Sequence, residues 1–288
     1  MKISVYIILL FFLFISCEQE IDLALNEPDN RLVVEARLEL PINVKTTDQF
    51  VKLTRINNYF DNDASTGVTD ASVNLTDERG IEHPYFLVEG KEGVYKLSGF
   101  IPKRGGKYIL NIYWNDAHYQ ASETVVDVPS IDSVYQIFEA ENTFEDGGLK
   151  LAIDFTDPEG QSNFYFWELY VNNENILRVD SGNSNNVVAS DDLFNGQTIR
   201  GYFPNEERVF EPGEEVMVKQ IGLSEAAFDF YFQIFEQTGQ TGSFIDVPPS
   251  KINGNIVNLT DNENYALGYF SASQTDTKLY VIQDDVER

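Results

Sequence analysis

The sequence predicts a mainly β protein, in which an N-terminal immunoglobulin-like β-sandwich is followed by a second β-rich domain with one α-helix. Short stretches of alternating apolar and polar residues recur from Arg31 onward and are rich in β-branched and aromatic side chains. Turn-forming residues, such as Arg104-Gly105-Gly106, separate these stretches. The chain has 21 Phe, 15 Tyr and 42% apolar residues, which argues against a disordered protein.

Residues 31–128 are predicted to form the sandwich, because seven short strands in about 100 residues is a density typical of that architecture. The predicted strands are Leu32–Leu38, Phe50–Arg55, Ala71–Asp77, Pro84–Val88, Val94–Leu97, Lys107–Trp114 and Tyr119–Val125. We expect Val94–Leu97 to pair with Tyr108–Ile112, since the apolar residues of each fall on one face. Antibody-type domains have a Cys…Trp…Cys core, and this chain has a single cysteine, so the prediction concerns the architecture alone.

The second β-rich domain is predicted over residues 129–288, after a boundary at Val128-Pro129-Ser130. Its predicted strands are Ser133–Phe138, Leu149–Phe155, Phe164–Val171, Thr198–Phe203, Glu215–Gly222, Tyr265–Ala272 and Lys278–Gln283. The Ser/Asn-rich segment Asp180–Asp192 predicts a long exposed loop. One helix is predicted near 224–238, because Ser224 can cap Glu225–Gln237 and apolar residues follow at helical spacing. We expect that apolar stripe to pack against a sheet.

Residues 1–16 are predicted to be a lipoprotein signal peptide. Lys2 precedes an apolar run from Ile3 to Ile15, and Ser16 comes directly before Cys17. The run is shorter than the roughly 20 apolar residues of a membrane-spanning helix. Cys17 is therefore the predicted lipidation site, and residues 17–30 are the predicted tether. The alternative is a plain secretory signal whose cleavage site falls near Cys17.

Charge and missing motifs limit the possible functions. The formal net charge of −27 repels phosphate backbones, so nucleic acid is excluded as a partner. The sequence has no HExxH, CxxC, GxSxG, GxGxxG or P-loop motif. We therefore expect a protein that is not an enzyme and has no cofactor.

Two weaker site hypotheses come from the loops. The weak calcium candidates are Asp61, Asp63, Asp154 and Asp157, since hard cations prefer carboxylate oxygens on loops. These acids lack the EF-hand spacing, and the prediction is that they are solvated turn residues with no metal. Tyr113, Trp114 and Tyr119 are predicted to be half-buried sheet residues, with a sugar-stacking patch as the alternative.

Several short segments, in a fixed order, carry a resemblance to a known family. They are Cys17-Glu18 with Ile21-Asp22, Leu32–Ala36, Asp70–Val73, Gly93–Tyr95, Gly106–Tyr108, Tyr119–Ala121, Val128–Ser133, Asp191–Gly196, Gly254–Ile256 and Ala266–Ala272. In these segments the chain resembles the Bacteroidota lipoproteins with domain of unknown function 4249. The resemblance implies an accessory outer-membrane lipoprotein associated with TonB-dependent transporters, and it supplies no catalytic residues.

The acids after Cys17 also resemble the signal that sends lipoproteins of this phylum to the cell surface. We therefore expect a lipid-anchored protein of the outer membrane that faces outward, with a periplasm-facing protein as the alternative. The expected function is a binding or accessory role in TonB-dependent uptake. A stand-alone surface adhesin that binds glycan or protein is the first alternative, and a cryptic hydrolase is the second.

Overall fold

Strands dominate the computed structural model, which describes residues 31–56, 66–141, 147–177, 187–205, 208–238 and 250–284. Sixteen strands and one helix lie within these ranges. In chain order they are β1 (Leu32–Pro41), β2 (Gln49–Arg55), β3 (Ser72–Thr76), β4 (Glu82–Leu87), β5 (Val94–Leu97), β6 (Lys107–Trp114), β7 (Ala117–Thr124), β8 (Ile131–Glu139), β9 (Gly148–Thr156), β10 (Phe164–Val171), β11 (Glu174–Asn175), β12 (Val188–Ser190), β13 (Thr198–Tyr202), β14 (Glu215–Leu223), α1 (Glu225–Thr238), β15 (Val257–Asn258) and β16 (Leu267–Val281).

Within this part of the chain, most strands belong to one mixed sheet. Its order is β11-β10-β14-β16-β1-β2-β5-β4-β3-β6-β7-β15, and β12 pairs with β10 at its end. A second sheet has the order β13-β9-β8. Strands β1 and β16 run parallel, although they lie at opposite ends of the chain. The mainly β class predicted from the sequence is confirmed.

The first core fills a sandwich formed when the large sheet folds over at β4. This strand pairs with β3 through Tyr85 and with β5 through Phe86, so it passes from one layer to the other. Leu32, Val34 and Leu38 of β1 alternate with more exposed residues and are fully buried in this core, as expected for a strand with one face against a hydrophobic layer. The C-terminal β16 also contributes to this core.

Two further cores lie on opposite faces of β10 and β14. Tyr165 and Trp167 of β10 pack with Phe155 of β9 between the large sheet and the three-stranded sheet. Phe166 points the other way, into the cluster beneath α1. Because β10 is covered on both faces, its sequence is nearly continuous in apolar residues.

The helix prediction is confirmed, since α1 spans Glu225–Thr238. Ser224 is its cap: the Ser224 hydroxyl oxygen accepts a hydrogen bond from the backbone N–H of Ala227 at 3.3 Å. The same hydroxyl donates to the Glu123 carboxylate at 3.0 Å, which fixes the start of the helix against β7. The predicted packing of the apolar stripe against a sheet is also confirmed.

Strand β16 corrects one prediction. The two strands expected at Tyr265–Ala272 and Lys278–Gln283 are parts of a single strand, Leu267–Val281. The segment between the two predicted strands is polar, yet Thr275 and Asp276 are buried within the continuous strand. The carboxylate of Asp276 accepts a hydrogen bond from the backbone N–H of Ile131 at 2.8 Å, so this polar group is satisfied inside the fold.

Two other predictions are wrong in detail. Strand β5 pairs with β2 and β4 and not with β6. Of the predicted exposed loop Asp180–Asp192, the described residues 187–192 include the strand β12, which pairs with β10; Val187, Val188 and Asp191 are at most 4% exposed, whereas Asp192 is exposed. Residues 180–186, which hold most of the Ser and Asn residues of that segment, lie outside the described residues.

The predicted boundary at residue 128 coincides with a change of core. Val125 packs in the first core and Val128 in the second. The sheet nevertheless continues across the two halves, because β16 lies between β1 of the first half and β14 of the second. The division into residues 31–128 and 129–288 stays a prediction about folding units.

Candidate functional site

A cleft lies beside α1 on the outer face of the large sheet, and we call it the helix cleft. The helix packs on β10, β12, β14 and β16, and residues of β1 and β2 line the opposite side of the cleft. Its volume is about 1080 Å³. Sites for small ligands commonly measure about 300–1,000 Å³, so the helix cleft is large enough for such a ligand.

The helix side of the cleft is apolar. Phe230, Tyr231, Ile234 and Phe235 line it, at spacings that place them on one side of a helix. Phe230 and Phe235 are buried in the cluster between helix and sheet, whereas Tyr231 and Ile234 are only partly buried. Tyr231 and Ile234 therefore keep surface that a bound molecule can contact.

The strand side of the cleft carries both apolar and charged residues, which come from the outward face of β1. The even-numbered residues from Leu32 to Leu38 face the first core. Val33, Glu35 and Arg37 therefore point to the other side of the sheet, where they line the helix cleft. The neighbouring strand β16 adds an apolar residue, Leu267, which is in register with Val33.

Four charged side chains form a network at the cleft, and we call them the charged quartet: Arg37, Glu39 and Lys219, which line the cleft, and Glu168, which pairs with Arg37. The Nη1 atom of Arg37 donates to Glu168 Oε1 at 2.5 Å. The Nζ atom of Lys219 donates to both carboxylate oxygens of Glu39, at 2.5 and 2.6 Å. Lys219 also lies 4.0 Å from Glu168 Oε2, so the two pairs form one network.

Aromatic rings hold the Arg37 side chain in place. Its guanidinium carbon lies 5.2 Å from the ring centroid of Phe166 and 5.7 Å from that of Tyr231. These two rings stack on each other with centroids 5.1 Å apart. Cations at this distance are attracted to ring faces. The geometry of Arg37 is therefore fixed by one carboxylate and two rings.

The charged groups of the quartet are partly shielded from solvent. Burial alone would raise the pKa of Glu168, but attraction to Arg37 and Lys219 holds that pKa below its usual range. Burial likewise opposes the charge on Arg37, and interaction with Tyr231 and Glu168 keeps its pKa above the ordinary value. Both groups of the Arg37–Glu168 pair are thus ionised at neutral pH.

Part of the predicted site set lies outside the described residues. This applies to the predicted lipidation site Cys17 and to the calcium candidates Asp61 and Asp63. The other calcium candidates, Asp154 and Asp157, are described and are both buried. They stand on the second core, away from the residues that line the helix cleft.

Both of these buried aspartates accept hydrogen bonds from the protein. Asp154 accepts from Tyr135 and Gly201, each at 2.8 Å, and from Ser133 at 2.9 Å. Burial would raise the pKa of Asp154, but these bonds lower it below its usual range. Asp157 accepts from the Tyr165 hydroxyl, and from the Gly196 backbone N–H at 2.8 Å. In the described ranges no group of three or more His, Cys, Asp and Glu residues is arranged to hold a metal ion.

The three aromatic residues of the possible sugar-stacking patch have different positions. Tyr119 is buried in the first core, at 1% exposure. The Trp114 indole N–H donates to Asp70 at 3.0 Å, and the ring packs partly on the same core. Tyr113 is 44% exposed and stacks on His118 with ring centroids 4.3 Å apart. Only Tyr113 of the three thus presents much of its surface to solvent.

A comparison with protein families identifies the family of this chain. The profile of the domain of unknown function DUF4249 matches residues 18–279. The chain belongs to this family. The matched part of the DUF4249 chain includes β1, α1, β10 and β14, and so all four members of the charged quartet.

Other comparisons add little about the DUF4249 chain. No curated protein matches it. Among solved structures it is similar to a DUF4785 family protein from Legionella pneumophila subsp. pneumophila str. Philadelphia 1, with 12% sequence identity and a TM-score of 0.24. The similarity covers 66% of this chain, which spans about half, 52%, of that structure. A likeness of this degree carries no argument about function.

In the described part of the DUF4249 chain, no helix combines the length and the apolar character needed to cross a bilayer.

The helix cleft was not predicted from the sequence, although two signals point to it. Glu168 is a lone acid in the apolar strand β10, and Lys219 is a lone cation in the apolar part of β14. A charge inside a buried strand requires a partner of opposite sign. Pairing Glu168 with Arg37, however, needs the sheet order, because β14 and β16 separate their strands.

Proposed function

We propose that this chain is a binding protein without catalytic activity, and that it holds its ligand in the helix cleft. The observation that carries the proposal is the cleft itself, whose apolar wall on α1 lies opposite Arg37, Glu39 and Lys219 of the charged quartet. A concave apolar site with a few converging polar groups is the usual form of a small-molecule site.

The cellular location that we propose rests on features of the sequence. We infer that Cys17 is lipidated and holds the protein on the outer membrane, facing outward. The apolar run before Cys17, the acids after it and the membership in the DUF4249 family support this inference. Two or more acyl chains suffice for stable anchoring. In this position the protein would serve as an accessory component of a TonB-dependent transporter.

The anchor is tested by metabolic labelling with a palmitate analogue. The wild-type chain should be labelled and should sediment with membranes, while Cys17→Ser should lose both properties. Protease treatment of intact cells then reports the side of the membrane: rapid loss of the protein supports the outward orientation, and full protection indicates the periplasmic one. Equal labelling of both chains would contradict lipidation at Cys17.

The transporter association is tested by purification of the native lipoprotein from detergent-solubilised membranes. Recovery of a TonB-dependent transporter in comparable amount supports the accessory role. Recovery of the lipoprotein without any transporter contradicts it. Turnover of ester, amide or glycoside substrates by the purified protein would contradict the absence of catalysis.

A second candidate function is a surface adhesin that binds glycans. The observation that favours it is the exposed Tyr113 ring stacked on His118, next to the polar side chains of Asn111 and Gln120 on the outer face of β6 and β7. Aromatic faces stack on sugar rings. Binding of residues 18–288 to a glycan array, with loss in Tyr113→Ala, would support this function. Binding that persists in Tyr113→Ala would exclude this face.

A further inference from the structure

In the helix cleft, the carboxylate acceptors of the quartet are already hydrogen-bonded, whereas some donors are not. This difference bears on the kind of ligand that the cleft takes. The acids of the quartet are occupied: Glu168 accepts from Arg37 and, at 3.1 Å, from the Tyr170 hydroxyl. Both oxygens of Glu39 accept from Lys219. A ligand that donates hydrogen bonds thus finds these carboxylates already used.

Arg37, in contrast, keeps donors to spare. Of its three guanidinium nitrogens, Nη1 binds Glu168, and Nε and Nη2 have no hydrogen-bond acceptor within the described residues. The side chain is 34% exposed and lines the cleft. A planar guanidinium with two free N–H directions matches a carboxylate in geometry and charge.

The remainder of the cleft suits an apolar body. Val33 and Leu267 lie beside each other on the strand side, and Ile234 and Ile252 are further partly buried apolar residues of the lining. Val33 and Arg37 are four positions apart on β1, which corresponds to about 13 Å along an extended strand. A ligand could therefore place its polar end at Arg37 and extend an apolar chain of medium length toward Val33.

We propose that the ligand of the helix cleft is a small amphipathic carboxylate, whose carboxylate binds Arg37 and whose apolar body packs between α1 and β1. This inference rests on the proposed function and specifies the class of ligand. It predicts discrimination by head group: a cationic head would be repelled by Arg37, and the two other acids of the lining, Glu35 and Asp48, are already paired with Lys52 and Lys96. An ion without an apolar body would lose the burial that stabilises the complex.

The test is calorimetric titration of a chain of residues 18–288 with dodecanoate below its critical micelle concentration. This chain includes every residue that the structure describes. Dodecyltrimethylammonium and acetate serve as probes that lack the right head or the right body. We expect dodecanoate to bind in a one-to-one complex and the other two not to bind. Equal binding of both amphiphiles would overturn the assignment of the ligand class but leave the cleft as a binding site.

Three variants locate the bound dodecanoate. Arg37→Lys keeps the charge that Glu168 needs and loses the forked donor geometry, so binding should weaken about tenfold or more. Ile234→Trp fills the cleft from the helix side and should weaken binding of any occupant. Lys103→Gln, an exposed residue outside the cleft, is the matched control and should bind as the wild type does.

The outcomes separate the two proposals. Dodecanoate binding that both Arg37→Lys and Ile234→Trp reduce supports the assignment. Binding that Ile234→Trp reduces and Arg37→Lys leaves unchanged overturns the role of Arg37 while keeping the cleft as a site. Binding that neither variant alters places the probe elsewhere and contradicts this inference. Failure of every amphiphile to bind contradicts both the ligand class and the cleft as a small-molecule site.

Discussion

At the scale of single residues, the Arg37–Glu168 pair is the feature on which most of the cleft depends. The Glu168 side chain is 4% exposed and the Arg37 side chain is 34% exposed. Removing one member of a buried pair leaves the other without compensation, which costs far more than the pair contributes relative to apolar residues. Replacing either member should therefore destabilise the fold strongly, even though the intact pair contributes little net stability.

We predict that Glu168→Gln lowers the free energy of unfolding by about 2–3 kcal/mol, below the usual cost for a fully buried pair because Arg37 is partly solvated. The matched control is Lys103→Gln, which breaks the exposed pair between Lys103 and Glu78 at 3.2 Å and should cost less than about 1 kcal/mol. Urea denaturation of the two variants measures the difference. Equal losses in the two variants would contradict the assigned importance of Glu168.

The same pair predicts a dependence on pH. Because the folded state lowers the pKa of Glu168, its contribution is fully present above the unfolded-state pKa of about 4.3 and is lost as the pH falls through the folded-state value. The stability difference between wild type and Glu168→Gln should therefore be constant near neutral pH and shrink below about pH 4. A difference that grows on acidification would have the wrong sign.

At the scale of elements, β16 requires close backbone contact with β1. Gly268 has a φ of +94°, and a Cβ atom there would lie 2.0 Å from the carbonyl oxygen of Val34. Gly254 approaches the same place from the preceding segment, where a Cβ would lie 1.7 Å from the Gly268 carbonyl oxygen. The approach of these backbones leaves no room for a side chain.

We predict that Gly268→Ala lowers the free energy of unfolding by about 3 kcal/mol or more, since it adds both a disfavoured φ and a clash with backbone. Gly90→Ala is the control, because Gly90 has a φ of +74° and open space around its Cβ position. It should cost only the left-handed conformation, about 1–2 kcal/mol. Equal costs, measured by denaturant unfolding, would mean that the crowding at Gly268 is relieved at no cost.

Most elements could be predicted from the sequence because they depend on local patterns. Strands β5, β6 and β10 have the predicted bounds, and Ser224 caps the predicted helix. The continuity of β16 could not be predicted, since Asp276 is satisfied by Ile131, a residue far away in the sequence. The charged quartet had local signals at Glu168 and Lys219, but their partners on β1 are set by the sheet order alone.

At the scale of the whole molecule, the C-terminal strand joins the two halves of the chain. Phe270 and Ala272 of β16 fill the first core, and Tyr280 packs against the second. Ile256 and Ala266, from the segment before β16, also lie in the first core. The first core is thus incomplete until the last part of the chain is in place.

We predict that residues 31–128 do not fold by themselves, because they lack these C-terminal residues and expose one edge of β1. Addition of a peptide of residues 250–284 should restore part of the ordered structure. Circular dichroism and amide hydrogen exchange of the fragment, with and without the peptide, test this. Cooperative unfolding of the fragment alone would show that residues 31–128 are an independent domain.

The pairing of β1 on both edges has a mechanical consequence for a protein attached to a membrane. For a chain held at Cys17, as we propose, a pull from the N-terminal side would be transmitted to β1, the first strand that the structure describes. That strand is bonded to β2 on one side and to β16 on the other, so force along it loads both ladders in shear and breaks their hydrogen bonds together. The proposed anchor is thus connected to a strand in the interior of the sheet. Such a strand resists extraction better than an edge strand, whose hydrogen bonds break one at a time.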